Sequence, residues 1–329
     1  MRTVFLVAAF VACKKEEPTP DRLTDTGWFE TVGTTTVDCY DRFVTTVPTD
    51  GTHGWYWRDR PVVYAQTENH ASYQVWLQDT DGNRLDTSVT WDGLAGTVEW
   101  DGWLSADTTY ELVLEDCATT STVTFDTSEL GAPLSVSASS LVGNTYLLDL
   151  VDANWVEPAT LAPLVYIYFT TPVLLGVQYA DSTRIDLVGA PGVVDQFGVV
   201  TQDASAPTWD FPLSDFTDSP FLDARVDSLV LQYTDGGVTV DIPVENYVFQ
   251  ATFEPDGRTL GGGVLSGRGD TRYLGALLGD DSPGTMCELA DSLQVPCQPC
   301  ADGLPYCLDI RAEDIHGTLV DGLRLVERG

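Results

Sequence analysis

Cations are scarce in this chain of 329 residues. It has sixteen Lys and Arg against fifty Asp and Glu, and its only two lysines are Lys14 and Lys15. Binding to a nucleic-acid backbone depends on clustered basic side chains, so this composition argues against a nucleic-acid partner. The acids are spread along the sequence, and the formal net charge is -34. A strongly solvated surface is the plain interpretation, with cation buffering or repulsion from anionic surfaces as the functional alternative.

Residues for catalysis and metal binding are also few. The histidines His53, His70 and His316 are scattered, with no partner at catalytic or metal-binding spacing. H-E-x-x-H, G-x-S-x-G, Walker A and G-x-G-x-x-G patterns do not occur. The sequence therefore predicts a non-enzymatic protein without a cofactor, and a hydrolase acting through carboxylates is a minor alternative. The loop DTDGNRLD offers a weak calcium candidate in Asp79, Asp81 and Asp86, but Thr90 stands where a calcium loop needs glutamate.

Long apolar runs are missing as well. After the N-terminus no segment reaches eighteen uninterrupted apolar residues, and the first run, residues 3–12, is too short to span a bilayer. That run ends in FVAC, and the polar stretch KKEEPTPD follows Cys13. Such a run fits the core of a signal peptide. The polar stretch reads as a tether over residues 13–27.

FVAC resembles the lipobox of bacterial lipoproteins, although Phe10 stands where the family usually has leucine. The resemblance implies a signal peptide over residues 1–12 and a lipidated Cys13. Because each buried methylene contributes about 0.8 kcal/mol, two acyl chains suffice for stable anchoring. The family's inner-membrane retention signal is an aspartate after the cysteine, where this chain has Lys14. We therefore expect a lipid-anchored protein of the outer membrane or cell surface, with the membrane as one partner.

Cysteine parity agrees with export. Seven cysteines are present, and setting Cys13 aside leaves an even number. An oxidising compartment then predicts disulfides among Cys39, Cys117, Cys287, Cys297, Cys300 and Cys307. A bond between Cys39 and Cys117 would join an early strand to a late one. The other four allow three pairings, of which Cys287–Cys297 with Cys300–Cys307 is favoured because its loops are consecutive. A four-thiolate zinc site and a redox CQPC motif are the alternatives.

Strand-like alternation dominates the rest of the chain, broken by frequent Asp-Gly turns, and predicts an all-β fold. In SYQVWLQDTDGNRL, the side chains of Tyr73, Val75 and Leu77 share one face, and Asp81-Gly82 begins a hairpin turn. In the two later strands, Leu112, Leu114 and Phe125 are predicted to face inward. The best helical pattern is MCELADSLQV, residues 286–295. The aromatic cluster WYWRDR, residues 55–60, indicates either a recognition surface or a core strand that runs onto a charged loop.

Residues 101–128 carry Leu104, Ala106, Thr108 and Tyr110, followed by Phe125 and Thr127. The pattern resembles the last strands of bacterial Ig-like domains, which implies a β-sandwich over residues 28–128 with Tyr110 at a tyrosine corner. Residues 129–140 read as a linker. Residues 141–329 are expected to form a barrel or a second sandwich. There, FEPDGRTLGGGVLSGRGDTR and the cysteine cluster look like an uncharacterised module of myxobacteria-type lipoproteins.

Two functions agree with these features. The first is a lipid-anchored envelope protein whose Ig-like domain is a spacer or contact module for the C-terminal domain. Its partners would be envelope or extracellular proteins or glycans. The second is a carrier whose C-terminal barrel encloses a small apolar or glycan ligand.

Overall fold

The computed structural model describes residues 41–117, 119–163, 171–235 and 238–328. Within these residues the chain forms nineteen strands and one α-helix, as the all-β prediction requires. The predicted signal peptide, Cys13, the predicted tether and Cys39 lie outside the described residues. The first eight strands are β1 (Phe43–Val47), β2 (Thr52–Trp55), β3 (Val62–Ala65), β4 (Gln74–Asp79), β5 (Thr87–Asp92), β6 (Ala95–Trp100), β7 (Thr109–Glu115) and β8 (Thr120–Thr127).

These eight strands make two four-stranded sheets, in the orders β1-β3-β6-β5 and β2-β8-β7-β4. Alternating side chains from both sheets form one shared core, so the unit is a β-sandwich. We refer to residues 43–127 as the sandwich. The predicted inward faces are confirmed: Leu77, Leu112, Leu114 and Phe125 are buried. The pair β2–β8 is parallel, whereas the other pairs in both sheets are antiparallel.

Tyr110 occupies the predicted tyrosine corner. Its ring is buried, and its hydroxyl accepts a hydrogen bond from the Ser105 backbone N–H at 3.0 Å. A return bond to backbone a few residues upstream is the mark of this corner in Ig-like sandwiches. The buried Thr127 hydroxyl donates to the Ser105 carbonyl at 2.7 Å and ties the last strand to the same loop.

Eleven further strands build one curled sheet, a half-barrel, from residues 145–319. They are β9 (Thr145–Asp149), β10 (Asn154–Glu157), β11 (Val173–Ala180), β12 (Arg184–Val194), β13 (Val200–Gln202), β14 (Trp209–Asp210), β15 (Ser214–Asp215), β16 (Phe221–Asp235), β17 (Val238–Phe253), β18 (Thr259–Asp270) and β19 (Cys307–Leu319). The main order is β13-β12-β11-β9-β19-β18-β17-β16. Strands β14 and β15 pair with β12, and β10 pairs with β19.

Large side chains fill the inside of the curled sheet. Tyr146, Phe216, Phe249 and Phe253 are fully buried in its core, and the Tyr146 and Phe253 rings meet edge to face at 5.6 Å. The Tyr146 hydroxyl donates to the Gly257 carbonyl at 2.6 Å. Burial in this core raises the pKa of Tyr146 to about 12.

A disulfide-closed segment joins β18 to β19. It contains α1 (Thr285–Ser292), which confirms the helix predicted near residues 286–295. The bonds are Cys287–Cys297 and Cys300–Cys307, the pairing that the sequence favours, so these thiolates are not zinc ligands. Arg272 fastens the segment to the sheet through Asp270 and Asp302. The hydrogen bonds that the Arg272 guanidinium donates to these two carboxylates raise the pKa of Arg272.

Candidate functional site

The cluster WYWRDR leaves the end of β2 and reaches out of the sandwich to the curled sheet. The Tyr56 hydroxyl lies 2.8 Å from the hydroxyl of Thr252, a fully buried residue of β17. Burial is the main cause that raises the pKa of Tyr56. We call the contact region of Tyr56, Trp57, Arg58, Phe221 and Gly262 the junction.

Arg58 lies between rings from both parts of the molecule. Its guanidinium carbon is 3.3 Å from the ring centre of Phe221, the first residue of β16, and 4.3 Å from the Trp103 ring of the sandwich. An arginine this close to an aromatic face contributes about 0.5–2 kcal/mol, more when water is excluded. Burial lowers the pKa of Arg58, opposed by the charges of Tyr56, Asp218 and Asp223.

Arg60 continues the same stack inside the sandwich. Its guanidinium carbon lies 3.9 Å from the Trp100 ring and 4.6 Å from the Trp103 ring, and it donates to the Gly102 carbonyl at 2.8 Å. Trp103 therefore has a guanidinium group from both Arg58 and Arg60 within cation–π distance. Packing of planar cations on rings in this way holds the loop after β2 in one direction.

The glycines of GGGVLSG leave the space into which the Tyr56 ring packs. Gly262 has φ +56°, and a Cβ atom there would lie 2.4 Å from the Tyr56 ring. A Cβ on Gly261 would lie 2.6 Å from the Leu130 side chain. The pairing register of β18 shifts on both sides of Gly263, so the triplet forms a β-bulge.

Three carboxylates meet at the edge of the junction. The pKa of Asp59 is raised to about 6, first by burial and then by the charges of Asp314 and Glu313 on β19. Asp314 has a positive φ of 56° in its strand. The Asp59 residue as a whole is exposed, so its carboxylate is only partly screened from solvent.

Residues 129–140, the predicted linker, pack along the curled sheet. The side chains of Leu134 and Ala138 contact its core, and the Ser135 N–H donates to the Pro255 carbonyl at 2.8 Å. Gly131, with φ +96°, leaves room for Trp57, whose indole nitrogen would lie 2.4 Å from a Cβ there. The WYWRDR cluster and residues 129–140 thus both join the sandwich to the curled sheet.

The remaining candidate residues lie elsewhere. Cys117 is disulfide-bonded, and its sulfur is 3.2 Å from the Asp41 carbonyl. Asp79 accepts hydrogen bonds from Asp81 and Asn83, so its carboxylate stabilises the predicted turn. Hydrogen bonds from Asn83 are the main cause that lowers its pKa. Nowhere in the described ranges do three or more His, Cys, Asp or Glu side chains form a group that could hold a metal ion, and this includes Asp79, Asp81 and Asp86.

The junction was not predicted as such. The sequence identified WYWRDR as notable but left open whether it faces a partner or its own core. One signal for the junction was present in the sequence, namely the glycine triplet at residues 261–263. Glycines inside a strand allow another part of the chain to approach the backbone closely. Nothing in the sequence links these two motifs, which lie about two hundred residues apart.

No family model matches this chain, and no curated protein matches it. Among solved structures, the crystal structure of the S-layer protein rSbsC aligns with a TM-score of 0.22 and 11% sequence identity. The alignment covers 87% of this chain and 55% of that one, so the chain spans about half the length of that structure. The likeness is too weak to carry a function to this chain. None of the helices in the described part of the chain is both long and apolar enough to cross a membrane.

Proposed function

We propose that this chain is a non-enzymatic, lipid-anchored protein of the cell envelope, in which the sandwich is a rigid spacer that holds the curled sheet away from the membrane. The lipobox-like FVAC sequence and the polar stretch after it support the anchor. The disulfides of residues 287–307 support an oxidising compartment outside the cytosol.

The observation that carries the spacer role is the junction. A spacer transmits position only if its two ends cannot swing, and a loose linker between the parts would not achieve this. Here Tyr56 and Arg58 contact the curled sheet directly, and residues 129–140 pack beside them. The apolar side chains inside the curled sheet pack into one core, and this packing gives the spacer role more support than the carrier alternative.

Replacement of Cys13 tests the anchor. In a Cys13→Ser variant expressed with its own N-terminus, the protein should leave the membrane fraction and appear soluble, with an unchanged thermal unfolding midpoint. The matched control is Cys39→Ser, which should stay in the membrane fraction because it removes no acylation site. A Cys13→Ser protein that remains in the washed membrane fraction would contradict the proposal.

A further inference from the structure

A cleft of about 480 Å³ opens along one edge of the sandwich, away from the junction residues. Its sides are β4 and β5, which lie at the ends of the two strand orders. The rings of Tyr73, Trp76 and Trp91 line it. Neither flanking strand pairs with another strand on its cleft side in the described ranges, and residues 83–87 bond to Val75, Leu77 and Asp79 along the β4 edge.

Trp76 is fixed in place before any ligand arrives. Its indole N–H donates to the Gln78 side-chain oxygen at 3.0 Å, and the Gln78 amide donates to Glu111 at 2.8 Å. The Arg84 guanidinium carbon lies 3.9 Å from the ring centre. A ring held by a hydrogen bond and a stacked cation loses little conformational entropy when a ligand binds.

Trp91 is held in a different way. The His70 ring stacks on it with centres 4.0 Å apart and planes only 8° from parallel. On the neighbouring strand, Gly96 leaves room for it, because a Cβ there would lie 2.8 Å from the indole ring. His70 and Gly96 therefore hold Trp91 in the wall of the cleft, and Trp76 is the indole ring on which a ligand would pack.

Polar groups stand between and beside the rings. Gln74, Arg84, Asp86 and Ser88 line the same cleft and are exposed. Together they provide amide, guanidinium, carboxylate and hydroxyl groups, which include both donors and acceptors. A purely apolar ligand would leave these groups unpaired, and an anion would meet Asp86 on a protein of net charge -34.

The ligand that suits flat rings edged by mixed donors and acceptors is neutral and rich in hydroxyl groups. We propose that the cleft between β4 and β5 binds a neutral oligosaccharide, with the C–H face of a sugar ring packed on Trp76 and its hydroxyl groups bonded to Gln74, Asp86 and Ser88. The volume is in the range of small-ligand sites. Binding here does not depend on the lipid anchor, so the two proposals stand or fall separately.

Isothermal titration calorimetry of the purified full chain tests the cleft, with cellotetraose, chitotetraose and maltotetraose as probes. At least one should bind with a dissociation constant below about 1 mM, which corresponds to about -4 kcal/mol. Trp76→Ala should weaken that binding about tenfold or more, and Trp76→Phe, which keeps a ring, should weaken it less. Gln74→Ala gives a second test at an exposed side chain, with an expected loss of about threefold or more.

The matched control is Phe197→Ala, which removes an exposed aromatic side chain from the loop between β12 and β13 and should leave binding unchanged. Thermal unfolding of each variant checks that the sandwich is intact. Absence of binding by all three sugars at 10 mM, a final concentration of about ten times the expected constant, would overturn the proposal. Binding that survives Trp76→Ala would overturn it too, because the sugar would then lie elsewhere.

Discussion

At the scale of single residues, the junction depends on Tyr56 and Arg58. Each side chain packs a flat face against a neighbour and also has a polar or charged group. Tyr56 buries its ring against Gly262 and still finds a hydroxyl partner in Thr252. Arg58 keeps its charge while its flat faces lie on rings, so the cost of removing the guanidinium from water is partly offset. Burial and hydrogen bonding of this kind fix one arrangement, whereas apolar contact alone would permit several.

Asp59 makes the junction sensitive to pH. Its pKa in the folded protein, about 6, lies above the ordinary value of 3.8 because of burial and the carboxylates of Asp314 and Glu313. The ionised form therefore costs stability above pH 6, and the cost disappears as the pH falls towards 4. Because Asp59 is partly open to solvent, we expect a cost of about 1 kcal/mol.

The variant Asp59→Asn should therefore be more stable than the unmodified protein by about 1 kcal/mol at pH 8, with no advantage at pH 4. Urea unfolding at both pH values measures this difference. Asp92→Asn, at an exposed carboxylate at the end of β5, is the control and should change stability by less than about 0.5 kcal/mol at either pH. An Asp59→Asn protein that is less stable at pH 8 would show that the carboxylate is satisfied in the junction.

At the scale of elements, side-chain alternation predicted which faces are buried. It located the inward residues of β4, β7 and β8, and helical spacing located α1, because both patterns depend on neighbours within a few residues. The tyrosine corner was implied by the resemblance to Ig-like domains. The turn at Asp81-Gly82 was predicted correctly too, since Gln78 and Arg84 form an antiparallel bridge across it. The chain then crosses to the other sheet, so β4 and β5 are not paired with each other.

Pairing between distant strands could not be predicted in this way. Alternation indicates that a face of a strand is buried, but it does not indicate which strand lies beside it. The pairing of β9 with β19 and the parallel pairing of β2 with β8 therefore have no local signal in the sequence. The junction has the same origin, since Tyr56 and Thr252 are 196 residues apart. The sandwich cleft also depends on two edge strands from different sheets, which the sequence does not bring together.

A substitution at Gly262 in β18 tests how closely the Tyr56 ring packs against this glycine. In Gly262→Ala, the new Cβ would meet the Tyr56 ring, and the positive φ adds backbone strain of about 1 kcal/mol. Gly93→Ala is a matched control, because Gly93 has the same φ of +56° and a Cβ added there would have nothing within 4 Å.

The Gly262→Ala variant should lose about 1–3 kcal/mol more than Gly93→Ala in urea unfolding, since overpacking adds to the shared strain. Limited proteolysis should also become faster in residues 129–140, which pack beside the junction. Equal losses in the two variants would mean that Tyr56 moves aside without cost, and that the junction does not hold the two parts together.

At the scale of the whole molecule, the chain combines an acidic, well-solvated exterior with two β structures joined by direct contacts. Its disulfides close the segment between β18 and β19, where a loop of about ten residues gains about 2–3 kcal/mol in the chain-entropy model. The proposed cell-envelope location would account for both the oxidised cysteines and the acylation proposed for Cys13. In that location the sandwich cleft would be accessible to oligosaccharides outside the cytosol.

The intact mass of the membrane-extracted protein, before and after reduction, tests this account most directly. We expect the mass of residues 13–329 plus that of acyl chains, and a gain of six hydrogens on reduction because six of the seven cysteines remain for disulfides. A full-length chain that begins at Met1, carries no acyl mass and gains no hydrogens would contradict it.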